Sequence, residues 1–157
     1  SMCAIEYYED SLLPLARLYN LERELDQALQ EKIWLKSGGF LIIQQTEAFV
    51  AIDVNTGKHS SKKDAEENYK QINREAALEI ARQLRLRNLS GMILVDFINM
   101  KNTNDQSELL QYMGSLVRSD PMQTVVVDVT ALGIMEITRK KSAKTLAEQL
   151  LQLKKGE

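Results

Sequence analysis

Three polar side chains in this sequence follow apolar, strand-like stretches and have the types that bind a cation. Residues 49–58 begin as an apolar run and then present Asp53, Asn55 and a glycine, and residues 92–100 repeat the design with Asp96. A lone carboxylate is costly to bury unless it is paired or bound to a cation, and two neighbouring carboxylates repel each other unless a cation lies between them. We therefore expect Asp53 and Asp96 to hold one divalent cation, with Mg²⁺ the natural choice because it is commonly bound by one or two carboxylates plus waters and phosphate oxygens.

Such a site suits chemistry on phosphate, because a bound cation activates water and stabilises the charge that builds on a phosphoryl group. Asn55 lies two residues beyond Asp53 and points the same way on extended backbone, where it can orient a water or a phosphate oxygen. Spacing alone leaves an alternative open. In that alternative, each aspartate only caps a turn at a strand end, and Asn55 is present because it favours the turn before Gly57.

The loop after Asn55 carries cations and the only histidine. Lys58, Lys62 and Lys63 can attract a nucleic-acid backbone, or they form an ordinary solvated loop. His59 is a general base beside the aspartate or a surface histidine.

Bulk composition bounds the class of protein. The chain has 157 residues, 44% of them hydrophobic and 27% charged, which suits one globular domain of ordinary size. The net charge of −2 does not predict a nucleic-acid binder, so any basic surface is local. Cys3 is the only cysteine, which excludes a disulfide within the chain and a cysteine-based metal site. No apolar run approaches the roughly 20 residues of a membrane span.

The periodicity of apolar residues predicts an α/β (α+β) fold with a mixed β-sheet covered by helices. The expected element order is α-β-β-α-β-α-β-β-α. The first helix begins near Leu15, or as late as Leu21 if Asn20 is its N-cap. The later elements are strands over 40–45 and 48–54, a long helix from about Asp64, a strand over 92–97, a helix around 109–117, strands over 124–129 and 133–138, and a final helix over 143–151.

Several long motifs resemble the catalytic core of the ribonuclease E/G family. They lie at residues 37–39, 46–48, 51–58, 73–77, 79–87, 95–100 and 133–139. The resemblance implies an endoribonuclease that cuts single-stranded RNA in the bacterial cytoplasm and leaves a 5′ phosphate and a 3′ hydroxyl. It implies that Asp53 and Asp96 bind Mg²⁺, for which Mn²⁺ can substitute, and that Asn55 assists. Lys58 and Arg139 are then expected to contact the RNA backbone.

The same resemblance divides the chain into three parts. Residues 1–36 correspond to the end of a ribonuclease-H-like subdomain, 37–141 to a deoxyribonuclease-I-like, metal-binding subdomain, and 142–157 to a C-terminal helix. The family's OB-fold RNA-binding domain, its pocket for a 5′ monophosphate and its zinc-sharing cysteine pair have no counterpart in these motifs. We therefore expect a fragment of a longer, homo-oligomeric enzyme, without zinc of its own.

Some positions depart from the family pattern and favour a second interpretation. Asn104 and Ala131 stand where the family often has basic residues, and Pro121 follows Asp120 where an arginine is usual. Fewer cations would contact RNA. The alternative function is a catalytically inactive RNA-binding or assembly module that keeps the fold.

Overall fold

The computed structural model describes residues 6–57 and 65–155, which form two compact units divided after Gln30. Six residues interpreted from the sequence lie outside these described ranges, so their predictions are not tested by the structure: Cys3, Lys58, His59, Lys62, Lys63 and Asp64. No helix in the described ranges is long and apolar enough to cross a membrane.

The first unit contains two short helices, α1 (Leu15–Leu18) and α2 (Leu21–Ala28). The apolar spacing predicts one helix here, but the backbone breaks at Asn20, whose φ of 52° is left-handed. Asparagine enters this region more readily than most residues. Asn20 does occupy the N-cap position of α2, although its side chain makes no capping hydrogen bond.

The second unit is a six-stranded mixed sheet with helices, which confirms the predicted fold class. The strand order is β1-β2-β3-β4-β6-β5, and β3 and β4 form the one parallel pair among the described strands. The elements are β1 (Lys32–Trp34), β2 (Phe40–Gln45), β3 (Val50–Asn55), α3 (Ala65–Leu86), β4 (Gly91–Asp96), α4 (Thr103–Val117), β5 (Thr124–Val129), β6 (Ile134–Arg139) and α5 (Leu146–Lys155). The added strand is β1, at a place where the sequence indicated only a short extended piece.

One face of the sheet forms the hydrophobic core against α3 and α4. Alternate residues of β3 point into it, among them Ile52, which is 2% exposed. Helix α3 supplies the facing stripe through Ile72, Ala76, Ile80 and Leu84, spaced four residues apart as the sequence predicts. Burying each large aliphatic side chain of this kind contributes about 1.5–3 kcal/mol.

The two helices of this layer also contact each other through polar groups. Lys70 of α3 pairs with Asp105 at 2.7 Å and with Glu108 at 3.1 Å, and these hydrogen bonds raise the pKa of Lys70 to about 12. The guanidinium of Arg74 lies 4.4 Å from the ring centroid of Tyr112. These pairs set α4 alongside α3 on the core side of the sheet.

The opposite side of the sheet, which we call the open face, carries polar and exposed groups. It is defined by the alternate residues that the strand register brings into neighbouring positions. They are Lys32, Trp34, Phe40, Ile42, Asp53, Asn55, Leu94 and Asp96.

A buried ion pair ties the start of β4 to β5 and β6. The Arg139 Nε donates to Asp120 Oδ2 at 2.7 Å, and both side chains are 3% exposed. The same guanidinium donates to the Asn88 Oδ1 at 2.9 Å and to the Leu89 carbonyl at 3.0 Å. Arg139 therefore joins the connection after α3 to the connection after α4.

Two opposing effects act on the carboxyl group of Asp120. Burial alone would raise its pKa, because the charged form loses hydration. Hydrogen bonds from Arg139, from the Thr124 hydroxyl and from the Met122 amide outweigh burial, and the pKa of Asp120 is lowered. The charged pair is thus the form that stabilises the fold.

We predict that Asp120→Asn lowers the free energy of unfolding by about 3–5 kcal/mol, since it leaves the Arg139 charge buried without a counter-ion. Because the pKa is lowered in the folded state, this stabilisation is present above the ordinary aspartate pKa of about 3.9 and is lost as the pH falls through the folded value. Urea unfolding at pH 7 and at about pH 3 measures both effects, and the gap between wild type and variant should narrow in acid. The exposed Asp128→Asn is the control, and an equal loss in both variants at pH 7 would contradict the role of the pair.

Candidate active site

The two aspartates singled out by the sequence are direct neighbours across β3 and β4. Asp53 pairs with Asp96 in the parallel register, and both side chains are exposed on the open face. Adjacent strands lie about 4.8 Å apart, and paired residues project to the same side. This arrangement follows from α3, which returns the chain so that β4 runs in the direction of β3 and both strands end together.

Asn55 is held against the first of these carboxylates. Its Nδ2 donates to the Asp53 Oδ2 at 2.8 Å, so the expectation that both side chains point the same way is confirmed. The hydrogen bond orients the Asp53 carboxylate. It leaves the Oδ1 of the Asn55 amide available to accept a hydrogen bond from another group. Two carboxylates and one side-chain amide therefore lie at the C-terminal ends of β3 and β4.

The cost of burying a lone carboxylate does not bear on this site. Both Asp53 and Asp96 project from the open face and are exposed. Alternation along a strand shows that Asp53 lies opposite Ile52 and Val54, but it does not show which face the helices cover. The argument for a cation therefore depends on the closeness of two negative charges and not on desolvation.

The donor set is small. Within residues 6–57 and 65–155, no group of three or more histidine, cysteine, aspartate or glutamate side chains could hold a metal ion. Two carboxylates with an amide oxygen suit Mg²⁺, which keeps several waters and takes its remaining ligands from a substrate phosphate. They do not suit a closed structural zinc site, which needs four protein ligands.

Glycines allow the backbone beside Asn55 to approach the turn before β2. Gly57 has φ +71°, and a Cβ there would clash with the Gly38 carbonyl oxygen. A Cβ on Gly39 would lie 2.8 Å from the Asn55 carbonyl oxygen. The turn at 37–39 and the end of β3 thus fit together only because side chains are absent, and this contact sets the position of Asn55.

The loop after Asp96 is held by a buried amide that sequence reasoning missed as a functional residue. Asn73 of α3 is fully buried, donates from Nδ2 to the Ile98 carbonyl at 2.8 Å and accepts from the Ile98 amide at 3.0 Å. Ile98 is two residues beyond Asp96. The available signal was a polar residue adjoining the apolar stripe at Ile72 and Ala76.

Asp96 lies between two cavities. One, of about 280 Å³, is on the open face and is lined in part by Ile42, Ala51, Asp53 and Leu94. The other, of about 370 Å³, lies beyond the end of β4 and is lined in part by Phe97, Asn99, Gln106 and Leu132. A substrate phosphate at the carboxylates would have space on either side for the groups attached to it.

The structure does not bring Arg139 to this site. Arg139 pairs with Gly91 at one end of β4, whereas Asp96 at the other end pairs with Ile134. Five residues along a strand span about 16 Å. With its guanidinium also bound to Asp120, this arrangement gives no support to an RNA contact by Arg139, and Lys58 lies outside the described residues.

We predict that Asn73→Ala destabilises the fold by about 1–3 kcal/mol, because the amide and carbonyl of Ile98 lose their partners. The variant should also weaken the Mg²⁺ binding that we expect at Asp96, since the loop after that residue is no longer held. Urea unfolding and calorimetric titration with Mg²⁺ measure the two effects. The exposed neighbour Gln71→Ala is the control, and Mg²⁺ affinity equal to wild type in folded Asn73→Ala would show that the amide does not position the site.

Comparison with known proteins identifies the family of this chain. A model of the ribonuclease E/G family matches residues 1–142. The chain is 40% identical over 137 residues to ribonuclease G of Escherichia coli K12, a match that covers 87% of the chain and 28% of that protein. It is 38% identical over 144 residues to ribonuclease E of Nostoc sp., which covers 92% of the chain and 21% of that protein. The chain thus spans about a quarter of the length of these curated relatives, and on the family match we conclude that it belongs to the ribonuclease E/G family.

Proposed function

We propose that this chain is the Mg²⁺-dependent catalytic core of an endoribonuclease that hydrolyses phosphodiester bonds in single-stranded RNA. The observation that carries the proposal is the in-register pair Asp53 and Asp96, with Asn55 hydrogen-bonded to the first of them. Relatives named ribonuclease G and ribonuclease E support RNA as the substrate.

The cation in this proposal is Mg²⁺, for which Mn²⁺ substitutes because it also prefers oxygen ligands in octahedral geometry. When bound, it supplies a water of lowered pKa and a positive charge that stabilises the transition state of phosphoryl transfer. The residues that would hold it are Asp53 and Asp96. Their exposure leaves room for the waters and the phosphate oxygens that complete octahedral coordination.

The chain's own residues have separate tasks in this scheme. Asp53 and Asp96 bring the negative charge that draws a cation to the end of the sheet. Asn55 keeps the Asp53 carboxylate in one orientation through its 2.8 Å hydrogen bond and presents its amide oxygen to a water or hydrated phosphate. Hydrolysis would leave a 5′ phosphate on one product and a 3′ hydroxyl on the other.

The parent protein is part of the same proposal. We place it in the bacterial cytoplasm as a homo-oligomer that processes and degrades RNA. The bacterial sources of the relatives support a bacterial protein, and their ribonuclease names support action on RNA. The full activity would need segments of the longer protein, since this chain matches only about a quarter of each relative.

A second candidate function is an inactive RNA-binding or assembly module. One observation favours it: among the described residues that line the two cavities beside Asp96, none is lysine or arginine. A phosphodiester near the carboxylates would then depend on the metal for all of its charge neutralisation.

We predict that, in the longer parent protein, Asp53→Asn and Asp96→Asn each reduce Mg²⁺-dependent cleavage by at least about a hundredfold, because the amide lacks the charge that holds the cation. A 5′-labelled single-stranded oligoribonucleotide measures cleavage, and calorimetric titration with Mg²⁺ measures binding independently of turnover. Urea unfolding should be nearly unchanged, since both side chains are exposed.

Asp128→Asn, an exposed carboxylate on β5, serves as the matched control and should cleave like wild type. Undiminished cleavage by either active-site variant would sink the catalytic assignment. If wild type neither cleaves RNA nor binds Mg²⁺ through these two aspartates, the assembly module is the better description.

A further inference from the structure

An exposed aromatic cluster lies on the open face, at the edge formed by β1 and β2. Trp34, the only tryptophan of the chain, is 64% exposed. Its ring centroid lies 5.2 Å from that of Phe40 with an interplanar angle of 59°. The Lys32 Nζ lies 4.2 Å from the Trp34 centroid and 3.9 Å from the Phe40 centroid. Two rings and one ammonium group thus form a compact patch, which we call the aromatic patch.

Strand register connects this patch to the aspartates. Trp34 pairs with Phe40, and Phe40 pairs with Asn55, so the three side chains form one row across the open face. The neighbouring row runs from Lys32 through Ile42 and Asp53 to Asp96. Phe40 is therefore about 5 Å from Asn55 across the sheet, and Trp34 about 10 Å. The patch and the aspartates belong to one continuous surface.

A further cation–aromatic contact, within the helix layer of the described structure, shows what is different here. Arg74 and Tyr112 lie between α3 and α4, where the ring is partly buried and helps to pack the two helices. Trp34 is not packed between two elements in this way, because most of its indole is exposed to solvent at the edge of the sheet. Phe40 is partly buried, so packing explains its presence. Packing does not explain Trp34, because its side chain remains 64% exposed.

We propose that the aromatic patch is a stacking subsite for an unpaired base of single-stranded RNA, one or two nucleotides from the phosphate at Asp53 and Asp96. This inference rests on the proposed function. Aromatic side chains on a sheet bind single strands because every base has a face that stacks, whereas a duplex hides those faces. Lys32 adds the positive charge that an RNA backbone requires and that the cavities beside Asp96 lack. The patch therefore selects unpaired RNA and seats it across the sheet.

The sole tryptophan makes the subsite directly observable. We expect a single-stranded oligoribonucleotide, titrated into the 157-residue chain in EDTA, to quench Trp34 fluorescence saturably. A duplex of the same sequence and an abasic strand of equal length and charge should quench little, because neither offers a free base face. Asp53→Asn should still quench, and at no higher RNA concentration than wild type, since stacking needs no metal and the variant removes one negative charge that repels RNA.

Substitutions distinguish base stacking on Trp34 from non-specific binding of RNA to the chain. Trp34→Leu should weaken oligoribonucleotide binding about tenfold in fluorescence anisotropy, whereas Trp34→Phe, which keeps a ring, should weaken it less. Tyr112→Leu removes the ring of the helix-layer pair and should bind like wild type if it remains folded by circular dichroism. Equal affinity of Trp34→Leu and wild type would overturn the subsite.

Two further results would overturn the inference. In the first, the abasic strand quenches Trp34 fluorescence as strongly as RNA does, which would mean that the quenching reports contact with the phosphate backbone and not base stacking. Trp34 emission could instead shift to the blue as the chain dimerises on a sizing column, which would mean that a second copy covers the patch. Base-dependent quenching by this chain, together with no RNA cleavage by the longer parent protein under any divalent cation, would refute the proposed hydrolysis and leave the stacking subsite standing.

Discussion

The candidate site depends on the parallel pairing of β3 and β4. Because both strands run in the same direction, their last residues lie side by side, and the register places Asp53 directly beside Asp96. A slip of one residue would turn the side chains of one strand to the other face. Ile52 and Val95, which are almost fully buried, hold the register because a slip would expose them and bury a carboxylate. The hydrophobic core on one face thus determines the geometry of the charges on the other.

The ends of these two strands are held by polar contacts with the surrounding backbone. Asn73 of α3 satisfies both backbone groups of Ile98, just beyond Asp96, and the glycine turn at 37–39 packs against the backbone beyond Asn55. At the other end of β4, Arg139 and Asp120 join β6 to the neighbouring connections. A site for a small, hard cation needs such support because Mg²⁺ demands near-ideal octahedral geometry.

The open face divides into two regions of different chemistry. The centre is acidic at Asp53 and Asp96, whereas the edge at β1 and β2 presents the aromatic patch with its single cation. A polyanion is repelled by the first region and attracted to the second, and the cation that we propose between the aspartates would remove the repulsion. Flat sheet geometry places the two regions about 10 Å apart, so one strand of nucleic acid can contact both at once.

The sequence by itself was enough to predict the fold class, most of the elements and the pair Asp53 and Asp96, because alternating and helical apolar patterns are local and the motifs are long. It also indicated the direction of Asn55, since two residues on extended backbone project alike. Only the tertiary structure decided which face of the sheet the helices cover. As a consequence, only the structure shows that the two carboxylates are exposed. It also decided that Arg139 is buried with Asp120, and that Trp34 and Lys32 share a face with the site. These outcomes depend on residues 19 or more positions apart coming together, such as Arg139 with Asp120, and no local pattern encodes such contacts.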